Sequence, residues 1–127
     1  MSLNLKNGVA AQGFDVVSFF NGSQKKGNAS ITFNYEGAEF QFSSELNKVK
    51  FKNSPETFIP QYGGFCAFAM SQGKEIIPNP KSWVIKEGKL YFFTRMLFGI
   101  IDAKRQWNKN SEDKKNLADS AWENMTK

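Results

Sequence analysis

The side chains able to do chemistry are few, and the absences exclude more than the presences suggest. Among 127 residues there is one cysteine, Cys66, and no histidine. A lone cysteine excludes an intrachain disulfide and any thiolate cage supplied by one chain. Without histidine, the commonest zinc ligand, the Ser-His and Cys-His nucleophile pairs and the usual proton shuttle near neutral pH are all missing. Most familiar hydrolase chemistry lies outside this set, and no metal or cofactor is expected.

Four residues remain as candidates. Cys66 lies between Phe65 and Phe68, directly after Gly63-Gly64. One reading is a small buried hydrophobe with an inert thiol. The other is a reactive thiol, which needs a cation or helix N-terminus to lower its pKa, together with solvent access. The glycine pair lacks the longer glycine pattern and the following lysine and hydroxyl residue of a phosphate loop, so a sharp chain reversal is expected there. Asp15 is an acid or base candidate that competes with a capping role. Tyr62 and Trp83 either line a ligand pocket or pack as buried aromatics with one hydrogen-bonded edge.

These residues have to be positioned by elements that the hydrophobic pattern outlines. Val16 to Phe20 follows Asp15 and reads as a capped helical turn or, nearly as well, a strand. Ile31, Phe33 and Tyr35, then Ala38, Phe40 and Phe42, alternate with polar residues as two half-buried strands around Glu36-Gly37. Trp83-Val84-Ile85 and Leu90-Tyr91-Phe92-Phe93 repeat the pattern around Glu87-Gly88. Between the hairpins, Ser43-Ser44 can cap a helix with Leu46 and Val49 inward and Lys48 and Lys52 outward, and Ser54-Pro55-Glu56 starts a second turn. Phe51, Phe58 and Ile59 are expected to join this region to the core. Met96, Ile100, Ala103 and Trp107 fall at helical spacing, Asn110-Ser111 can cap a last helix, and Leu117, Ala118, Ala121, Trp122 and Met125 make one apolar stripe on it. The expected fold is α+β, an antiparallel sheet built from two hairpins and covered by helices from residues 44–59 and 96–125. One domain spans 1–127, with 1–7 a disordered or appended lead and 96–127 a helical C-terminal region.

The run Met96-Leu97-Phe98-Gly99-Ile100-Ile101 is too apolar for one helical stripe. Either the final helix folds back over Leu97, Phe98 and Ile101, or these residues form an exposed patch for a second copy, a lipid-like molecule or a protein partner. A homodimer is the specific form of that expectation.

Seventeen lysines and arginines against twelve acidic residues give a net charge of +5. The basic residues are dispersed in short clusters such as Lys25-Lys26 and Lys104-Arg105, which read as solvated surface rather than a nucleic-acid or anionic-membrane patch. No apolar run reaches the roughly 18–20 residues of a membrane helix, so the chain reads as soluble. Met1-Ser2-Leu3-Asn4 has no signal-peptide features, yet it also suits a start that replaced a removed export signal. Periplasmic or exported residence is the expectation in that case, and cytoplasmic residence otherwise.

Three stretches carry a family resemblance: Gly13-Phe14-Asp15-Val16-Val17-Ser18-Phe19-Phe20, Tyr35-Glu36-Gly37-Ala38-Glu39-Phe40-Gln41-Phe42-Ser43-Ser44, and Pro60-Gln61-Tyr62-Gly63-Gly64-Phe65-Cys66-Ala67. Trp83 and Gly88-Lys89-Leu90-Tyr91 extend it over residues 8–94. In order and spacing the chain resembles the small stand-alone branch of the YHS-domain family. The resemblance implies a compact α+β domain, found alone or beside metal-handling modules, often in exported bacterial proteins, and mostly without an established activity. Metal-associated members carry a Cys-Ser-x-x-Cys-like pattern where this chain has Ser43, Ser44 and Asn47, and the histidine of the family name is missing too. Hydroxyl and amide groups are poor substitutes for thiolates toward soft or borderline metals, so the family's metal binding does not carry over to these positions.

Two functions of different class follow. One is a binding or accessory module holding a small ligand or partner segment in an aromatic cleft around Tyr62, Cys66 and Trp83. The other is thiol chemistry or metal handling at Cys66, completed by another chain. The missing histidine and second cysteine favour the binding module over an enzyme.

Overall fold

The computed structural model describes residues 3–126, with the side chain of Phe98 outside the described set. Met1, Ser2 and Lys127, the ends of the expected lead and C-terminal region, also lie outside it. Residues 3–7 of the lead expected to be disordered or appended pack against the rest of the chain. Strand β1 (Leu5–Lys6) pairs with β2 (Val9–Ala10), Asn4 N donates to Gly63 O at 2.8 Å, and Leu3 packs on the core.

The fold is α+β with mainly antiparallel pairing. The first hairpin, β3 (Asn28–Tyr35) and β4 (Ala38–Phe42), joins β1 and β2 in a sheet of order β1-β2-β4-β3. The second hairpin, β5 (Asn79–Lys86) and β6 (Lys89–Phe93), forms a separate ladder. Both hairpins are as the alternating pattern predicts, and they meet through side chains rather than through shared backbone hydrogen bonds.

Strand β6 divides the interior. Because side chains alternate across a strand, Leu90 and Phe92 enter one apolar cluster while Tyr91 and Phe93 enter another, and all four are at most 2% exposed. The first cluster lies under the four-stranded sheet. It includes α1 (Val16–Phe20) and is centred on Phe51 of α2 (Glu45–Asn53), whose ring lies 4.6 Å from that of Phe40 and 5.3 Å from that of Phe42. The second gathers Tyr62, Cys66, Met70 of α4 (Ala67–Ser71), Trp107 of α5 (Ala103–Asn108) and Ala118 of α6 (Ser111–Met125). Aromatic rings link it, with Trp107 5.5 Å from Tyr91 and 5.6 Å from Phe93.

Asp15 explains why Val16–Phe20 is helical despite its strand-forming residues. The carboxylate accepts from Val17 N at 2.9 Å and from Ser18 N, the cap geometry that starts a helix. Its second oxygen accepts from Ser43 N at 2.8 Å, Ser43 Oγ at 2.7 Å and Asn47 Nδ2 at 2.8 Å. That last bond corrects the expected orientation of α2. Asn47 and Phe51, one turn apart, face inward, whereas Leu46 and Val49 are 64% and 49% exposed. A polar anchor to buried Asp15, reinforced by Phe51, sets the rotation against the aliphatic residues. Ser44 does cap this helix, accepting from Asn47 N at 3.1 Å. A short α3 (Pro55–Phe58) follows, begun by proline as expected.

The segment before α5 departs from helical expectation. Strand β7 (Arg95–Met96) pairs with β8 (Ile101–Asp102) around a 3-10 turn at Leu97–Gly99. Leu97 and Gly99 take φ of +52° and +90°, left-handed values that interrupt an α-helix. Asp102 then caps α5 by accepting from Lys104 N at 3.0 Å, and it also receives Ser82 Oγ from β5. The periodic spacing of Met96 and Ile100 with Ala103 and Trp107 therefore spans a β-turn-like segment and the helix after it. The apolar stripe on α6 is also narrower than its sequence: Ala118 is buried, but Leu117 is 59% and Met125 42% exposed.

Candidate functional site

The aromatic cleft expected around Tyr62, Cys66 and Trp83 is not assembled. Trp83 packs edge-on against Phe19 at 5.1 Å, in the first cluster, and its Nε1 donates to Gln24 Oε1 at 2.7 Å. Asp15 is fully buried beneath the same cluster with both oxygens occupied by donors, which corrects the idea of an accessible ligand or acid-base group. Tyr62 and Cys66 share the second cluster but open onto different grooves. The alternation of β6 and the separate hairpins account for the scatter, since they put the four residues on different sides of the second ladder.

Tyr62 sits in the expected chain reversal. Tyr62, Gly63 and Gly64 have φ of +59°, +63° and +84°, a left-handed run that a non-glycine residue joins only at a cost of about 1–2 kcal/mol. The tyrosine is held there by its hydroxyl, which donates to Asp119 Oδ1 of α6 at 2.8 Å, while Lys115 Nζ donates to Asp119 Oδ2 at 2.7 Å. Burial, followed by the Asp119 hydrogen bond, pushes the phenol far above its ordinary pKa, so the group stays neutral. The adjoining depression includes Glu56 and Asp119, and Tyr62 acts as a structural tie.

Cys66 is at the junction that matters for binding. The reversal delivers it to the start of α4, where its N–H donates to Ile76 O at 2.9 Å and its carbonyl accepts from Met70 N at 3.0 Å. Its backbone bridges Phe92 in parallel, and its Sγ accepts Thr94 N at 3.2 Å. The thiol is buried, yet it lies at the floor of a groove of about 400 Å3 between α4, the loop before β5, the 95–102 segment and α5. That volume is within the range of roughly 300–1,000 Å3 usual for small-molecule sites.

Ala69, Ile76, Met96, Ile100 and Ala103 give this groove apolar walls, and Lys74 and Arg105 add two cations to its lining. Thr94 lines it beside the thiol. Its Oγ1 is buried and has no hydrogen-bond partner among the described residues. A buried hydroxyl left unpaired costs on the order of 1–3 kcal/mol, so it is a place where a ligand's polar group would be held strongly.

Thr94, Ala69, Lys74 and Ile76 were not singled out by the sequence, although Met96 and Ile100 belong to the apolar run read there as a candidate interaction patch. The apolar pair Ile76-Ile77 in an otherwise polar loop was the available signal, with the excess of aliphatic residues at 96–101. Among the described residues, no group of three or more His, Cys, Asp or Glu side chains is placed to hold a metal ion. No family model, no curated protein and no solved structure matches this chain.

Proposed function

We propose that this chain is a YHS-like binding module whose groove over Cys66 and Thr94 takes a small amphipathic ligand. The observation that carries the reading is the unpartnered, buried Thr94 hydroxyl in a mainly apolar groove with Lys74 and Arg105 in its lining. An apolar body suits Ala69, Ile76, Met96 and Ile100. A hydrogen-bonding end meets Thr94 Oγ1, and an anionic group finds Lys74 or Arg105. The Gln61–Ala67 stretch, the most specific part of the YHS resemblance, contributes Cys66 to the groove, which supports reading the resemblance as one of binding architecture.

A fluorescence titration with anilinonaphthalene sulfonate, which joins apolar rings to one anionic group, tests this. Saturable binding is expected, displaced by straight-chain carboxylates and weakened by Ile76→Asp. Binding indifferent to Ile76→Asp contradicts the assignment. The rival reading, thiol chemistry, draws on the Thr94 N–H directed at Sγ. It requires that a thiol reagent label native Cys66 quickly, whereas the binding reading expects slow labelling, slowed further by the bound probe.

A further inference from the structure

The groove's outer wall continues into a surface larger than the groove ligand accounts for, since Leu97 and Ile77 lie outside the groove lining. Met96, Leu97, Ile100 and Ile101 are 52%, 61%, 71% and 48% exposed, four large aliphatic side chains on one short turn. The final helix does not cover them; α6 packs instead on α4. Ile76 and Ile77, 41% and 65% exposed, add to the apolar surface, Ile76 directly across the groove. Contiguous apolar surface of this kind marks an interaction site.

The charges around it indicate the partner. A second depression, on the other side of Met96, is lined by Lys81 and Arg95. The turn is thus flanked by Lys74 and Arg105 in one depression and Lys81 and Arg95 in the other, all exposed and none ion-paired among the described residues. The one carboxylate lining either depression is Asp102, which is engaged by Ser82 and by Lys104 N, while Glu75 adjoins Lys74 in the chain. Chain positions 74, 81, 95 and 105 are dispersed in sequence and are brought together by folding.

We propose that the 95–102 turn is a docking element for an anionic lipid bilayer, its aliphatic side chains entering the headgroup boundary while Lys74, Lys81, Arg95 and Arg105 meet lipid phosphates. Burial of apolar side chains and attraction of cations to anionic lipid are the two terms that hold peripheral proteins on membranes. A second copy of the chain is the rival occupant. An isologous contact through this face would set the same cations against each other, a repulsion that an anionic surface converts into attraction.

Co-sedimentation with vesicles decides between them. The protein is expected to bind vesicles of equal parts phosphatidylcholine and phosphatidylglycerol, not phosphatidylcholine alone. Binding should be lost in about 1 M salt, where the screening length falls to about 3 Å. Lys81→Gln/Arg95→Gln should lower partitioning about 30-fold, each cation near such a surface being worth roughly five-fold. Leu97→Ser/Ile100→Ser should also abolish sedimentation while leaving the melting temperature in place, since both side chains are exposed. Equal binding to the two vesicle types, or no response to the charge variant, overturns the proposal. So does a dimer in light scattering that Leu97→Ser/Ile100→Ser dissolves, which would make a second copy the occupant. Thr94→Val separates this proposal from the groove ligand: vesicle binding should survive it, and a loss would move the lipid contact into the groove.

Discussion

Asp15, at the start of α1, and Thr94, just after β6, both bury polar oxygen, and the fold treats them in opposite ways. Asp15, under the four-stranded sheet, receives five hydrogen bonds from Val17, Ser18, Ser43 and Asn47, and in doing so starts α1, fixes the turn after β4 and rotates α2. Thr94, beyond β6, has a hydroxyl with no partner among the described residues, in a groove open to solvent. A saturated polar hub holds architecture and leaves nothing for a ligand. An unsaturated one is a loss of stability that binding can recover. The same contrast separates the regions: the groove beside Thr94 is lined by Cys66 and Ala69 of the second cluster and by no residue of the first.

Removing the hub is expected to have the largest effect. Asp15→Ala should cost roughly 3–4 kcal/mol, combining a lost cap with several orphaned donors. Denaturant melts would check it, and a loss under about 1 kcal/mol would mean that water replaces the carboxylate. On the other side, Cys66→Ser should cost on the order of 1–3 kcal/mol with the fold kept, because a smaller, more polar group replaces a fully buried thiol.

Tyr62→Phe removes the tie to Asp119 and should cost about 1 kcal/mol at neutral pH. It should also change the alkaline limb. Burial and Asp119 raise the folded pKa of Tyr62, and the hydrogen bond to Glu56, before burial, raises that of Tyr35 to about 12. A raised folded pKa contributes stability that is complete below the unfolded value near pH 10 and is lost as pH rises beyond it. Wild type should therefore lose stability steeply above about pH 10, and Tyr62→Phe less steeply. Parallel alkaline curves for the two proteins would show that Tyr62 ionises as easily folded as unfolded.

The smallest effect has the opposite sign. Thr94→Val should raise stability by up to about 1 kcal/mol by deleting the unpaired hydroxyl, whereas the corresponding change at Asp15 can only destabilise. Destabilisation by Thr94→Val would show that the hydroxyl is already satisfied.

The hairpins were legible because period-two alternation reports one buried face directly, and Asp15 was legible as a cap because capping is local. Other features depended on distant partners. Leu46 and Val49 turn outward because Asn47 must reach Asp15, a contact across 32 positions. Ile100 kept helical register with Trp107, but a left-handed Gly99 and the cap at Asp102 place a turn where the period suggested a helix. The groove was least legible. Thr94 looks like an ordinary strand-end threonine, and the lysines and arginines around the turn become a group only after the chain has folded. Tyr62, Cys66 and Trp83 were identifiable by their aromatic rings or thiol, but their grouping required knowing that β6 separates the two clusters.

The central claim, that the groove over Cys66 and Thr94 is the ligand site, is tested most directly by an amide NMR titration of the isotope-labelled protein with anilinonaphthalene sulfonate. The account predicts saturable shifts at Ala69, Ile76, Thr94 and Ala103, with Gln61 and Asp119 unmoved, and weaker binding in Thr94→Val. Shifts centred on Gln61 and Asp119, or none that saturate, would contradict it.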